Sequence, residues 1–141
     1  MSKSGPIIIV EDDIDDKEMF NFVIKDLGMP NKLIWFENTD DAIKYLRETG
    51  EQPFIIFCDV NMPGKNGLEF KKHIDNDIQL RRKSIPFVFY STSANQRDVN
   101  EAYTQMTVQG YFKKSISMQE MKSNIKLILD YWKSCIHPNT L

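Results

Sequence analysis

Two runs of consecutive apolar residues stop abruptly at acids, and this constrains the fold of the chain more than any other feature. Ile7-Ile8-Ile9-Val10 runs into Glu11-Asp12-Asp13, and Phe54-Ile55-Ile56-Phe57-Cys58 ends at Asp59. Neither run alternates apolar with polar residues, so each reads as a strand covered on both faces. Pro86-Phe87-Val88-Phe89-Tyr90 repeats the pattern and ends at Ser91-Thr92-Ser93. Leu33-Ile34-Trp35-Phe36 and Gly110-Tyr111-Phe112 are shorter candidates. Helical spacing fills the intervals: Phe20, Val23, Ile24 and Leu27 before Gly28; Ala42, Ile43 and Leu46 before Gly50; Leu68, Phe70 and Ile74 after Gly67. A fourth, more polar segment lies around Arg97 to Gln105. Met118, Met121, Ile125, Ile128, Leu129 and Trp132 form the stripe of the last. Strand and helix thus alternate five times, which predicts an α/β fold: a parallel sheet with helices on both faces and right-handed crossovers. Such a sheet binds its ligand outside the carboxyl ends of its strands.

A chain of 141 residues, 41% of them hydrophobic, can bury a core without disulfides or a structural metal, so one domain is expected. Its core runs from about residue 5 to 133. Residues 134–141 read as a short tail, and no output domain is expected. With 18 Lys and Arg against 20 Asp and Glu, the chain lacks the basic excess of a dedicated nucleic-acid binder. No apolar run is long enough for a membrane span, and no leader is visible. Cys58 and Cys135 form no CxxC pair, and Cys58 suits a buried thiol, so a reduced, cytoplasmic setting is expected.

In a parallel sheet the polar residues at the strand ends converge on one edge. Strand one contributes Glu11, Asp12 and Asp13, strand three Asp59, strand four Ser91, Thr92 and Ser93, and strand five runs into Lys113-Lys114. An acid at a strand end is commonly a turn former or a helix N-cap. Turn chemistry does not explain why acids follow strands one and three while hydroxyls and lysines follow four and five. Carboxylates gathered this closely repel one another unless a cation lies between them. Glu11, Asp12 and Asp59 suit Mg²⁺, a hard ion that takes one or two carboxylates and a phosphate oxygen. A lysine and a hydroxyl opposite would complete a pocket for a tetrahedral anion, with Asp59 as nucleophile forming an acyl phosphate.

Over essentially its whole length the chain resembles the response-regulator receiver domains of two-component signalling. The matching motifs are Val10-Glu11-Asp12-Asp13, Asp59-Val60-Asn61-Met62-Pro63-Gly64-Lys65-Asn66-Gly67, Tyr90-Ser91-Thr92-Ser93-Ala94 and Gly110-Tyr111-Phe112-Lys113-Lys114. The resemblance implies a flavodoxin-like (βα)5 fold with a doubly wound sheet in the order 2-1-3-4-5. It implies that Glu11, Asp12 and Asp59 bind Mg²⁺, with Asn61 adding its backbone carbonyl. Asp59 would be the phosphoacceptor, Ser91 the switch hydroxyl, Lys114 the phosphate-binding lysine and Tyr111 the switch aromatic. It further implies a phosphorelay signalling role rather than that of an enzyme, apart from self-catalysed phosphotransfer and slow autodephosphorylation. The donor would be a histidine kinase or a phosphotransfer protein, and the output contact with an unidentified downstream protein.

Of the two lysines, the Gly-aromatic pattern selects Lys114, and strand alternation sends Lys113 to the other face. A strand tyrosine such as Tyr111 is also commonly a core aromatic with a surface hydroxyl. Asp15 and Asp16 are read as stabilising the positive end of a helix; for Asp13 that role and metal ligation both stand. His73 and His137 lie beside no acid or hydroxyl motif and are expected on the solvated surface. Ser115 stands where the family very often has proline. A cis bond before a non-proline residue costs about 2.5–4 kcal/mol. Either isomer is compatible with the sequence, and a trans bond would displace the loop after strand five and put the approach of Lys114 in question. Ser91 replaces a frequent threonine but keeps the donor hydroxyl.

Aspartate-nucleophile phosphatases place a second acid two residues after the nucleophile. Asn61 at that position argues against a hydrolase. An acidic loop after strand one likewise argues against a flavin carrier, whose phosphate needs amides and hydroxyls there.

Overall fold

A computed structural model describes residues 2–92 and 95–138. The strands are β1 (Ile7–Val10), β2 (Leu33–Phe36), β3 (Ile55–Cys58), β4 (Phe87–Ser91) and β5 (Gly110–Lys113). The helices are α1 (Ile14–Asp26), α2 (Thr39–Glu48), α3 (Gly67–Asn76), α4 (Ile78–Arg81), α5 (Gln96–Gln105) and α6 (Met118–Ser134). All strand pairs are parallel and the order is β2-β1-β3-β4-β5. This is the flavodoxin-like arrangement, as the resemblance implied.

The apolar runs become fully covered strands because both faces of the sheet carry helices. Ile8, Val10, Ile56, Cys58, Phe87 and Phe89 face α2, α3, α4 and α5, while Ile7, Ile9, Phe57, Val88 and Tyr90 face α1 and α6. Every residue of β1, β3 and β4 is buried, whereas the edge strands β2 and β5 are partly open. Short polar residues fix where the helices begin. Asp13, Asn38, Asn66, Asn95 and Ser117 each accept a backbone N–H of the first turn of the helix that follows. Asn66 and Glu69 cap each other reciprocally. At the far end of α1, Gly28 takes φ +70 and donates its N–H to the Lys25 carbonyl, closing the helix in a conformation that costs other residues strain.

Two features depart from expectation. The four-residue α4 was not foreseen; Asp77 ends α3 and caps α4, accepting from the N–H groups of Gln79 and Leu80. One turn is too short to show a periodicity. His137, expected on the surface, is buried instead. Only 1% of it is exposed; its ring stacks on Phe54 at 5.3 Å, and Nε2 lies 2.6 Å from the Phe54 carbonyl oxygen. The chain after α6 therefore folds back under the amino-terminal edge of the sheet, at least as far as Pro138. Residues 139–141 of the expected tail, like Ser93 and Ala94, lie outside the described residues. His73 is partly exposed on α3, with Nε2 3.4 Å from an Arg47 guanidinium nitrogen. Among the described residues, no helix is long and apolar enough to cross a membrane.

Candidate functional site

The strand register delivers the acids to one place. Val10 pairs with Cys58 across β1 and β3, so Glu11 and Asp59 are the first residues beyond the same rung of the ladder. The Asp59 N–H continues that ladder by donating to the Val10 carbonyl at 3.0 Å. Carboxylate oxygens of Glu11, Asp12 and Asp59 lie within 4.8 Å of one another. Glu11 and Asp59 are buried, at 3% and 6% exposure, and Asp12 is open to solvent. This is a set of hard oxygen donors with no thiolate or imidazole among them, which matches the preference of Mg²⁺ or a similar ion.

Lys114 enters from the opposite side. Its Nζ is 2.5 Å from Glu11 Oε2, 2.8 Å from Asp16 Oδ2 and 3.2 Å from Asp59 Oδ2. Burial works against the ammonium, but Asp16, Glu11 and Asp59 outweigh it and hold the lysine protonated above its ordinary range. For Glu11 the balance falls the other way. Burial pushes its carboxyl up to about 7, against the hydrogen bond and charge of Lys114, and the neighbouring Asp59 charge adds to the rise. Burial, then the charges of Asp59 and Glu11, push the Cys58 thiol well above its usual range, so it remains protonated. Lys113 pairs with Ser91 in the ladder and is exposed to solvent.

The remaining candidates fall around this cluster. Ser91 is the last residue of β4 and fully buried, and its carbonyl accepts the Lys114 N–H at 2.8 Å. The Tyr111 ring lies 5.6 Å from that of Phe89, on the face covered by α3 and α5. Asn61 donates its backbone N–H to Asp59 Oδ1 at 3.3 Å. Asp13 is committed to capping: Oδ1 accepts from the N–H groups of Asp15 at 2.8 Å and Asp16 at 3.3 Å. The Lys114–Ser115 peptide is trans, since the described residues contain no cis bond. Lys114 nevertheless reaches Asp59.

Three contributors were not singled out from the sequence. Asp16, read as a helix-end acid alone, is also an ion-pair partner of Lys114. Nothing in the sequence separates it from Asp15, the neighbouring acid in the first turn of the same helix. Gly67 packs so closely that an added Cβ would stand 2.1 Å from the Asp59 carbonyl oxygen. Trp35 donates its indole N–H to the Glu11 carbonyl at 2.6 Å. Nothing in a linear pattern announces that reach.

The model of the response regulator receiver domain matches residues 7–126, most of the chain. The chain belongs to this family. Among curated relatives, this receiver is 30% identical over 131 residues to response regulator Rcp1 of Synechocystis sp., covering 89% of this chain and 87% of Rcp1. Among solved structures, the phosphorylated cyanobacterial phytochrome response regulator RcpA superimposes with a TM-score of 0.82 at 29% identity. That match covers 96% of this chain and 98% of RcpA. The Mn²⁺-bound form of Rcp1 gives a TM-score of 0.79 at 26% identity, covering 95% of this receiver and 98% of Rcp1. Receiver domains are signalling domains of two-component systems, and this one gathers Glu11, Asp12 and Asp59 at the carboxyl edge of its sheet.

Proposed function

We propose that this receiver accepts a phosphoryl group on Asp59 from the phosphohistidine of a histidine kinase or phosphotransfer protein, and passes the signal to a downstream protein by changing its surface. The observation that carries this reading is the buried Asp59 carboxylate held between two further acids and the Lys114 ammonium. An Asp59 carboxylate oxygen forms a bond to phosphorus as the P–N bond to the donor imidazole breaks; the imidazole leaves with that electron pair and then takes up a proton. Lys114 offsets charge on the phosphoryl oxygens, and Asn61 steadies the carboxylate through its backbone N–H.

Glu11, Asp12, Asp59 and the Asn61 carbonyl would hold Mg²⁺, which when bound neutralises phosphoryl charge and orients the transferred group. The Mn²⁺-bound form of Rcp1 and the phosphorylated form of RcpA support this assignment by analogy.

The added charge beside β4 would draw the Ser91 hydroxyl toward it. Tyr111, two register steps back on the neighbouring strand, would follow and alter the α5–β5–α6 surface. The chain works in this reading as a cytoplasmic phosphoacceptor rather than a turnover enzyme, with a protein as its target and not a nucleic acid or membrane.

Intact-protein mass after incubation with acetyl phosphate tests the reading. A Mg²⁺-dependent gain of one phosphoryl group is expected in the wild type and not in Asp59→Asn. Equal labelling of both proteins would refute Asp59 as the acceptor.

A further inference from the structure

The last residue pair of the β1–β2 ladder is Val10 with Phe36, and Glu11 is the first residue beyond it. The Glu11 N–H still finds a strand partner, the Phe36 carbonyl at 3.0 Å. Its carbonyl would need a donor from beyond Phe36, where β2 has already ended. The indole of Trp35 fills that place, with Nε1 at 2.6 Å from the Glu11 oxygen. The indole itself is fixed from two sides. It packs against the core between the sheet and the helices α1 and α6, and Lys17 Nζ of α1 lies 5.1 Å from the ring centroid.

We infer that Trp35 is a positioning residue for the acid loop, setting the direction in which Glu11 and Asp12 present their carboxylates to a divalent cation. The inference rests on the Mg²⁺ reading above. Its physical basis is the planarity of the peptide unit: the Glu11 carbonyl belongs to the Glu11–Asp12 peptide, so fixing that oxygen fixes the plane through both α-carbons. With the Glu11 N–H tied to Phe36, both peptide planes flanking Glu11 are anchored to β2. The cation then meets a loop already in place and pays less ordering entropy on binding. A purely structural tryptophan would contribute to folding stability alone.

Isothermal titration of Mg²⁺ into the full chain separates these roles, with the urea midpoint measured on the same samples. Trp35→Phe keeps an aromatic ring and removes the donor. Replacing Trp35 by its sulfur isostere benzothienylalanine removes the N–H with the bicyclic shape intact, and carries the comparison if the phenylalanine variant does not fold. Either variant is expected to bind Mg²⁺ about 2- to 10-fold more weakly, the range of one net hydrogen bond. Unchanged Mg²⁺ affinity, whatever happens to the urea midpoint, would overturn the positioning role and leave the Mg²⁺ reading standing. Absence of Mg²⁺ binding in the wild type would overturn both.

Discussion

Replacing Gly67 with alanine tests how tightly the start of α3 is built against Asp59, the proposed phosphoacceptor. Gly67 is the first residue of α3, where a simple propensity argument favours the change: alanine restricts the unfolded chain and stabilises compatible sites by about 0.4–1 kcal/mol. The structure predicts the opposite sign. A Cβ at Gly67 would lie 2.1 Å from the Asp59 carbonyl oxygen, 2.9 Å from its carbonyl carbon and 3.0 Å from Val60 Cα. Carbon and oxygen meet without repulsion at roughly 3.3 Å, so helix and loop must part by about 1 Å. All three obstacles are backbone atoms, which cannot swing aside as a side chain would. The Gly67 N–H is also tied to the Val60 carbonyl at 2.9 Å, so the separation strains that bond as well. Overpacking of this kind costs about 1–3 kcal/mol. With a urea slope near 2 kcal/mol/M, the midpoint should fall by about 0.5–1.5 M. Because the displaced atoms belong to Asp59, phosphorylation by acetyl phosphate should slow by roughly 10²-fold, the usual cost of a 1 Å misplacement. Gly64→Ala is the control. Gly64 has φ +76 but no heavy atom within 4 Å of an added Cβ, so it should lose about 1–2 kcal/mol to backbone strain and phosphorylate at the wild-type rate. A Gly67→Ala protein that is more stable than wild type and labels normally would refute the reasoning.

Other outcomes follow from the same geometry. Mg²⁺ at 100 times its dissociation constant should stabilise the fold by about 2.7 kcal/mol, read as a rise of roughly 8 °C in Tm, and Asp12→Asn should abolish most of the rise. Asp16→Asn frees Lys114 from a partly exposed competitor; beryllofluoride affinity should increase about 2- to 5-fold while stability shifts by less than about 1 kcal/mol, and a lower affinity would count against competition. Iodoacetamide at pH 8 should modify Cys135 alone in the native protein and both thiols in urea, because Cys58 is buried and its thiol is held protonated; mapping the adducts by mass spectrometry decides it. His137→Leu keeps apolar bulk over Phe54 but strands a buried carbonyl, so urea unfolding should show a loss of about 1–3 kcal/mol; a neutral substitution would mean the folded-back segment contributes nothing.

What could be read from the sequence, and what could not, divides along a physical line. Strands buried on both faces must be apolar throughout, so β1, β3 and β4 were visible as unbroken runs, and their abrupt ends located the acids. The same logic placed Glu11, Asp12 and Asp59 on one edge, because a parallel sheet puts every carboxyl end on the same side. Alternation also separated Lys113 from Lys114. Contacts that depend on how far a side chain reaches from its own element were not visible. Trp35 looks like any apolar strand residue until the register shows β2 ending where Glu11 needs a donor. His137 looks like a polar tail residue until the chain is seen to turn back under Phe54. The single turn of α4 carries no periodicity, and Asp77 before it resembles any other turn acid.

The approach of Lys114 to Asp59 illustrates how a local departure can be absorbed by a longer-range constraint. Ser115 put that approach in question on the argument that the loop after β5 would move once a proline was missing. The position of Lys114, however, is set from its other side. Ser91 pairs with Lys113 in the ladder, and the Lys114 N–H donates to the Ser91 carbonyl at 2.8 Å, so the lysine backbone is a continuation of the β4–β5 pairing. Its side chain is then drawn inward by acids from two different segments, the β1–α1 region and the end of β3. The peptide that follows adds little to this definition. Ser115 instead bonds forward, its hydroxyl donating to Glu120 Oε2 at 3.0 Å and accepting the Ser117 N–H at 3.0 Å, which ties the loop to the start of α6. Lys114 and Ser91 are thus coupled through one backbone hydrogen bond, so a shift of the β4 end that moves Ser91 also acts on Lys114.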